Sequence, residues 1–303
     1  MNFKEGEVLF FDKPLTWTSF AVVNKIRYHL CRQMGVKKLK VGHAGTLDPL
    51  ATGVMIICTG KATKRIEEFQ YHTKEYVATL MLGATTPSYD LEKEIDATYP
   101  TEHITRELVE ETLKKFIGSI EQVPPAFSAC MVDGKRAYDL ARKGEEVKLK
   151  AKTLVIDEIE LLECNLPVIK IRVVCSKGTY IRALARDIGE ALSCGATMTA
   201  LHRTTTGGFD VCDAVELDAL TRENLAEYIL PEETALLSLR EVKVTEKQAI
   251  RFGNGGQLAY ERLKNASFED GELLRIKFND KFLGVGIADN ANAQIAIKCV
   301  INQ

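Results

Sequence analysis

Apolar and polar positions alternate with two distinct periods along this chain. The spacing predicts a strand over 7–12, stopped at Lys13-Pro14, and then a helix from an N-cap at Ser19 to about residue 32, with Phe20, Val23, Ile26 and Leu30 on one face. An unbroken apolar run over 54–58 reads as a buried strand. Residues 74–82 alternate, with Tyr76, Ala78, Leu80 and Leu82 on one face and Val77, Thr79 and Met81 on the other, which suits a sheet covered on both sides. Helical spacing returns over 105–117, with Leu108, Leu113, Phe116 and Ile117 inward, and a short helix follows at 137–142. Residues 154–163 and 168–175 form an antiparallel pair around Asn165-Leu166-Pro167, ahead of a helix over 179–192. Beyond Pro231 an acidic connector leads to a helix near 245–251 and strands near 272–278, 282–288 and 294–300. The pattern is that of an α+β chain with a domain over 1–238 and a small β-rich domain over 239–303.

Composition narrows the class without naming a function. Hydrophobic residues at 46% and charged residues at 27% are those of ordinary globular domains, and no apolar run approaches the roughly 18 residues that a membrane span requires. The first residues include acids and hold no long apolar stretch, so no secretory leader is expected and the protein is placed in the cytoplasm. Eight cysteines show no C-x-x-C pair and no clustering with the five histidines, which argues against zinc and fits reduced thiols. The formal charge is only -2, but it is unevenly spread: residues 135–152 hold seven bases and three acids, 170–186 five bases and no acid, and 210–241 nine acids and two bases. Basic segments gathered on one side would meet phosphates, although solvated faces of ordinary elements give the same counts.

Residues 42–53, GHAGTLDPLATG, are where the chemistry concentrates. Gly42, Gly45 and Gly53 allow backbone conformations closed to other residues, and Pro49 fixes φ directly after Asp48, so one carboxylate is held on a stiff loop beside a buried strand. By spacing alone, such an aspartate is more often a turn residue bonding its own backbone than a catalyst. The whole string resembles the signature loop of the TruB family of tRNA pseudouridine synthases. Further matches over about residues 5–235, including 176–182 (SKGTYIR), 199–204 (TALHRT) and 124–144 (PPAFSACMVDGKRAYDLARKG), carry the same resemblance.

The resemblance implies a mixed, largely antiparallel sheet flanked by helices, a PUA-like C-terminal domain, and isomerisation of uridine 55 in the tRNA T loop with no cofactor and no metal. It makes Asp48 the nucleophile, Arg182 the cation paired with it, and Tyr76 the ring that stacks on the flipped uracil and takes part in proton transfer. Tyr180 and Leu201 would line the uracil pocket and His43 the RNA face of the loop, while Lys13, Lys64, Lys135, Arg136, Arg142 and Lys177 are candidate phosphate contacts. Without the resemblance, Tyr76 reads as a core tyrosine and Arg182 as a surface helix cation. Asp90 matches an acid of the family and receives no role. Two positions depart from the pattern: Met131 stands where a lysine is usual, and His202 where an arginine is common. The loss of a cation at 131 keeps open a second class, a tRNA-binding or folding factor with weak or absent catalysis. A third, a hydrolase of a glycosidic bond using Asp48, lacks a convincing second carboxylate nearby in sequence. The expected partner is tRNA, met by a monomer, with no membrane.

Overall fold

The structure, a computed structural model, describes residues 3–4, 6–70, 73–128, 130–132, 135–142, 149–207, 209–216, 229–230, 233, 236–237, 239–263 and 267–300. The chain divides into two compact units, Met1–Ile229 and Leu230–Gln303. Sequence patterning sets the boundary slightly later, at 238/239, where residue 238 lies outside the described residues.

The first unit opens with β1 (Val8–Lys13), α1 (Ser19–Met34), β2 (Val41–Ala44), β3 (Ala51–Thr59), α2 (Ile66–Gln70) and β4 (Lys74–Leu82). A ribbon of β5 (Ala84–Thr85) and β6 (Ala97–Thr98) leads to α3 (Arg106–Lys114) and β7 (Gly118–Gln122). Another ribbon, β8 (Met131–Val132) with β9 (Lys135–Arg136), precedes α4 (Ala137–Arg142). The unit continues with β10 (Lys152–Asn165), β11 (Val168–Cys175), α5 (Ile181–Ala191), β12 (Ala196–Thr206), β13 (Phe209–Asp210) and β14 (Val215–Glu216); β15 (Ile229–Leu230) stands at the division. These strands build one large sheet with the main path β14-β1-β3-β12-β4-β11-β10-β7, β2 lying against β3 and β13 against β12. Only β1 with β14 and β3 with β12 run parallel among its described pairs, so the fold is α+β on a mixed, largely antiparallel sheet.

Helix α1 shows why the local sequence folds as it does. Thr18 caps it by accepting a hydrogen bond from the Ala21 amide at 3.1 Å, and Gly35, at φ 64°, ends it in the left-handed region. Its buried stripe is Ser19, Val22, Val23, Ile26 and Leu30, whereas Phe20 is 66% exposed, contrary to the expected face. Ser19 takes the inward position because its hydroxyl donates to the Leu47 carbonyl at 2.8 Å and accepts from the Leu47 amide at 2.9 Å. In α3 the inward residues are Val109, Thr112 and Leu113, with Leu108 and Phe116 half-buried; Ile117, expected inside, lies past the helix end and is exposed.

Strand β4 keeps Lys74, Tyr76, Ala78, Leu80 and Leu82 buried and leaves the alternate residues half-buried, so one of its faces meets the main core and the other is only partly covered. Where β3 and β12 run parallel, Gly53 sits opposite Arg203 at φ 108°; a Cβ there would stand 2.2 Å from the Arg203 carbonyl oxygen. Glycine alone permits both the conformation and the approach.

The second unit holds β16 (Arg240–Lys243), α6 (Glu246–Gly253), β17 (Leu258–Ala259), β18 (Leu273–Phe278), β19 (Lys281–Asp289) and β20 (Gln294–Val300). Its five-stranded sheet has the order β16-β18-β19-β20-β17 and its own core around Phe252, Leu274, Ile276 and Ile295. Thr245 and Gln248 form a reciprocal capping box at the start of α6. Across both units, no helix among the described residues is long and apolar enough to cross a membrane.

Candidate active site

The loop between β2 and β3 is pinned at nearly every residue around Asp48. Leu47 is buried and clamped by Ser19, Pro49 accepts from the Thr16 amide at 2.9 Å, and the Asp48 carbonyl accepts from the Ala51 amide at 3.0 Å. Beneath the loop, the buried Arg203 donates through Nε to the Val54 carbonyl at 2.7 Å and through Nη2 to the Gly45 carbonyl at 3.2 Å, holding both flanks of the segment at once. Gly53 closes it by donating to the Asp12 carboxylate at 3.0 Å.

Arg182, near the start of α5, places its Nε 2.9 Å from the Asp48 Oδ2. The guanidinium is almost wholly buried and is fixed on its other side by the Ser88 and Phe127 carbonyls, at 3.1 and 3.0 Å. A second carboxylate, the buried Asp90, stands 3.5 Å from the same Nε. Arg182 thus faces both carboxylates with one charge. Asp90 is itself held by the Glu92 amide, at 3.0 Å, and its carbonyl receives the Thr86 and Ser88 hydroxyls. Spacing left this residue without a role because the turn that folds it back onto α5 has no periodic signature.

The Asp48 side chain is about one-third accessible and lines a cavity of the protein. Burial therefore pushes its pKa upward, Arg182 opposes that rise, and Asp90 adds to it. The net direction is up, whereas the guanidinium alone leads one to expect a lowered value; two carboxylates sharing one cation account for part of the difference.

The cavity beside Asp48 has a volume of about 690 Å³ and is lined by Tyr76, Tyr180, Arg182, Leu201 and Lys177 among others. Tyr76 is buried beneath it, with its phenol held above the usual pKa by desolvation. Tyr180 is fastened through its backbone to Gln122, with its hydroxyl 3.3 Å from the Cys130 Sγ, and burial raises its pKa as well. The structure thus brings Asp48, Tyr76, Tyr180, Arg182, Leu201 and Lys177 to one place. His43 lies on β2 opposite Ile57 and is not among the residues lining this cavity. Lys64 lies on a different cavity.

Lys13 corrects the expectation of a phosphate contact. It is fully buried and donates to the carbonyls of Pro14, Trp17 and Pro49, at 2.9, 2.6 and 3.3 Å, so it braces the loop instead of facing solvent. Burial lowers its pKa to about 8 against the pull of Asp48. The side chains of Met131, Lys135, Arg136 and Arg142 lie outside the described ones. Arg203 is the residue that the sequence reading passed over; its only signal is its place two residues after Leu201 in a matched segment.

Among known proteins, the model of the TruB family pseudouridylate synthase N-terminal domain matches residues 32–181, and that of the tRNA pseudouridylate synthase B C-terminal domain matches residues 182–237. The tRNA pseudouridine synthase B of Phocaeicola vulgatus is 82% identical over 219 residues, covering 72% of this chain and 93% of that protein. That of Clostridium kluyveri is 41% identical over 281 residues, covering 92% of this chain and 94% of that protein. The crystal structure of a Cbf5-Nop10-Gar1 complex superposes with a TM-score of 0.75 at 26% identity, covering 99% of this chain and 86% of that one. A mixed sheet with an aspartate paired to a buried arginine at the mouth of a tyrosine-lined cavity, together with these matches, is that of a pseudouridine synthase, an isomerase. Within that class, the chain belongs to the TruB family.

Proposed function

We propose that this protein isomerises uridine 55 in the T loop of tRNA, with Asp48 as the nucleophile. The observation that carries the reading is the meeting of Asp48, Arg182 and Tyr76 on one cavity large enough for a nucleoside, with an ion pair of 2.9 Å at its wall. The nucleotide leaves the loop and its uracil lies against Tyr76, where stacking worth roughly 1–3 kcal/mol offsets much of the unstacking. The Asp48 carboxylate attacks the uridine, at C1′ or at C6. In the C1′ route the N1–C1′ electron pair leaves with the uracil as the Asp48–C1′ bond forms, the uracil turns, and C5 then displaces the carboxylate from C1′; in the C6 route the N1–C1′ bond breaks in the adduct, the uracil turns, C5 bonds to C1′, and the carboxylate is eliminated from C6. In either, the proton on C5 departs as N1 gains one and Asp48 is released as the free carboxylate. Atoms and electrons balance within the nucleotide, so the reaction calls for neither redox partner nor group donor.

Arg182 acts by favouring the ionised Asp48, and Tyr76 takes part in transfer of the C5 proton. Tyr180 and Leu201 pack around the base, and Lys177 on the cavity wall meets phosphate, as do Lys64, Lys135, Arg136 and Arg142 elsewhere on the RNA path; His43 fills the space that the nucleotide vacates. We read residues 239–303 as a PUA-like domain, on the strength of the separate five-stranded sheet and its helix. The protein acts as a monomer in the cytoplasm.

Asp48→Asn preserves size and removes the nucleophile. Incubation of unmodified tRNA with wild-type protein is expected to yield pseudouridine at position 55, and the variant none. Undiminished product from the variant, or product only at another position, overturns the assignment. Tight, salt-sensitive binding by the wild type with no product would instead mark a tRNA-binding factor.

A further inference from the structure

Arg182 and Arg186 stand one turn apart on α5, and both reach the segment that joins β5 to β6. Ser88 offers its carbonyl to the Arg182 Nη1, at 3.1 Å, and Asp90 brings its carboxylate to 3.5 Å from the Arg182 Nε. Tyr89, the residue between them, meets the other arginine: the Arg186 guanidinium lies over its ring, 5.1 Å from the centroid. Ser88 and Asp90 are buried, whereas Tyr89 lines a cavity of about 500 Å³ together with Arg186, Tyr99, Gly189 and Gly195. That cavity and the one holding Asp48 share no lining residue.

The backbone of Tyr89 has a φ of 63°, in the left-handed region, which glycine or asparagine occupies at less cost than a residue bearing a ring. Its amide donates to the Thr86 carbonyl at 3.1 Å, and its carbonyl accepts from the Met198 amide of β12 at 2.9 Å. The Thr86 and Ser88 hydroxyls both close on the Asp90 carbonyl, at 2.7 and 3.1 Å. In this conformation the two neighbours of Tyr89 meet Arg182 while its own ring meets Arg186. A ring packed under a guanidinium gives a tyrosine a reason to hold a backbone conformation that it does not favour. Arg186 is itself tied to Asp187, at 2.6 Å, and to the Val123 carbonyl, at 3.2 Å, so the guanidinium is fixed over the ring.

We propose that Tyr89 is a positioning residue: with Arg186 over its ring, it locks the turn that presents Ser88 and Asp90 to Arg182, and so keeps Arg182 against Asp48. The inference rests on the reading of Asp48 as the nucleophile. Neither Tyr89 nor Arg186 lines the cavity proposed to take the uracil, so their loss reaches the reaction through Arg182 and Asp90. Asp48 is faced by Arg182 of α5, Asp90 of the turn, Lys13 of β1, and the phenols of Tyr76 and Tyr180. Among these, the turn supplies Asp90 and holds Arg182.

The test is the pH dependence of kcat/KM for pseudouridine formation on unmodified tRNA by wild type, Tyr89→Gly, Arg186→Ala, the double variant and Tyr89→Phe. Tyr89→Gly frees the backbone and removes the ring. It is expected to move the acid limb to higher pH, toward its position in Arg182→Gln, and to lower kcat by about tenfold with KM unchanged. Arg186→Ala should do the same, and the double variant no more than either, as for two groups that act as one. Tyr89→Phe keeps the ring and should retain the wild-type limb. The position of a limb does not depend on how much of a variant is folded, so lost stability does not imitate the shift. Undisplaced or absent limbs overturn the proposal, and pseudouridine formed by the wild type leaves the enzymatic reading standing without it. A limb moved to lower pH would show that the turn acts through the charge of Asp90 rather than by holding Arg182, and overturns it likewise, as does a double variant whose shift is the sum of the single ones. Product that Asp48→Asn does not diminish overturns the nucleophile reading and this inference with it.

Discussion

At the residue scale, Asp48 sets function against stability. Its pKa is raised by burial, so the folded state binds its proton more tightly than the unfolded chain does. The stability that this protonation supplies is complete below the unfolded value and is lost as pH rises through the folded one, so the ionised carboxylate weighs against the fold. Asp48→Asn is therefore expected to raise Tm by a few degrees while abolishing product, as differential scanning calorimetry beside a tRNA assay would read; a lowered Tm would contradict the sign. Arg182 opposes the rise, and its removal has a kinetic signature. If Asp48 is the nucleophile, as proposed, it must be ionised, and kcat/KM is then expected to climb with pH through its pKa. Arg182→Gln is expected to move that acid limb to higher pH and to lower kcat/KM near pH 7 by about 10²-fold. Arg182→Lys, which keeps the charge, should restore the position of the limb more than the rate. A limb that stays in place would mean that the guanidinium acts only as a structural tie to Ser88 and Phe127.

At the scale of elements, the seam between β3 and β12 holds the site, and it was the seam that the sequence hid. Gly53→Ala forces a Cβ to 2.2 Å from the Arg203 carbonyl oxygen in a strained backbone conformation. It should destabilise the fold by about 2–4 kcal/mol and reduce turnover by displacing the Arg203 bonds to Gly45 and Val54; denaturant melts and single-turnover rates check both. Strand β4 was legible from its alternation over 74–82, and α1, α3, α5, β10 and β11 from their periods to within a few residues. Strand β12, Ala196–Thr206, was not read as a strand although it lies between β3 and β4 in the sheet. Its Thr-rich run has no clean period of two, because register shifts interrupt its pairing with β4 on both sides of Leu201. The site follows the same division. Asp48, Tyr76 and Arg182 lie in segments that the family resemblance singles out, and they line one cavity, whereas Asp90 and Arg203 reach the carboxylate or its loop only through turns and pairings distant in sequence. Lys13 was misjudged for that reason too: burial by the loop it braces cannot be read from its neighbours.

For the whole molecule, separate cores in the two units, among the described residues, imply separable stabilities. The larger surrounds the main sheet, and the smaller gathers Val242, Ala249, Phe252, Leu274, Ile276 and Ile295 in the second unit. At about 0.05–0.15 kcal/mol per residue, a unit of roughly 70 residues is held by only about 4–10 kcal/mol. Phe252 is fully buried there, and truncating such a ring costs about 3–5 kcal/mol, a large share of that total. Phe252→Ala should therefore lower the unfolding of the second unit sharply while leaving the main-sheet unit nearly unchanged, since its own core loses no contact. Urea unfolding followed by a probe in each unit, with Trp17 reporting on the first, would show two separated transitions where the wild type shows them closer together. Because every residue proposed to touch the uracil lies in the first unit, the rate of isomerisation on a saturating RNA should survive the substitution under conditions where only the second unit has melted. A fall in that rate in step with the melting of the second unit would show that the C-terminal sheet takes part in holding the RNA or the site, and that the catalytic core does not work alone.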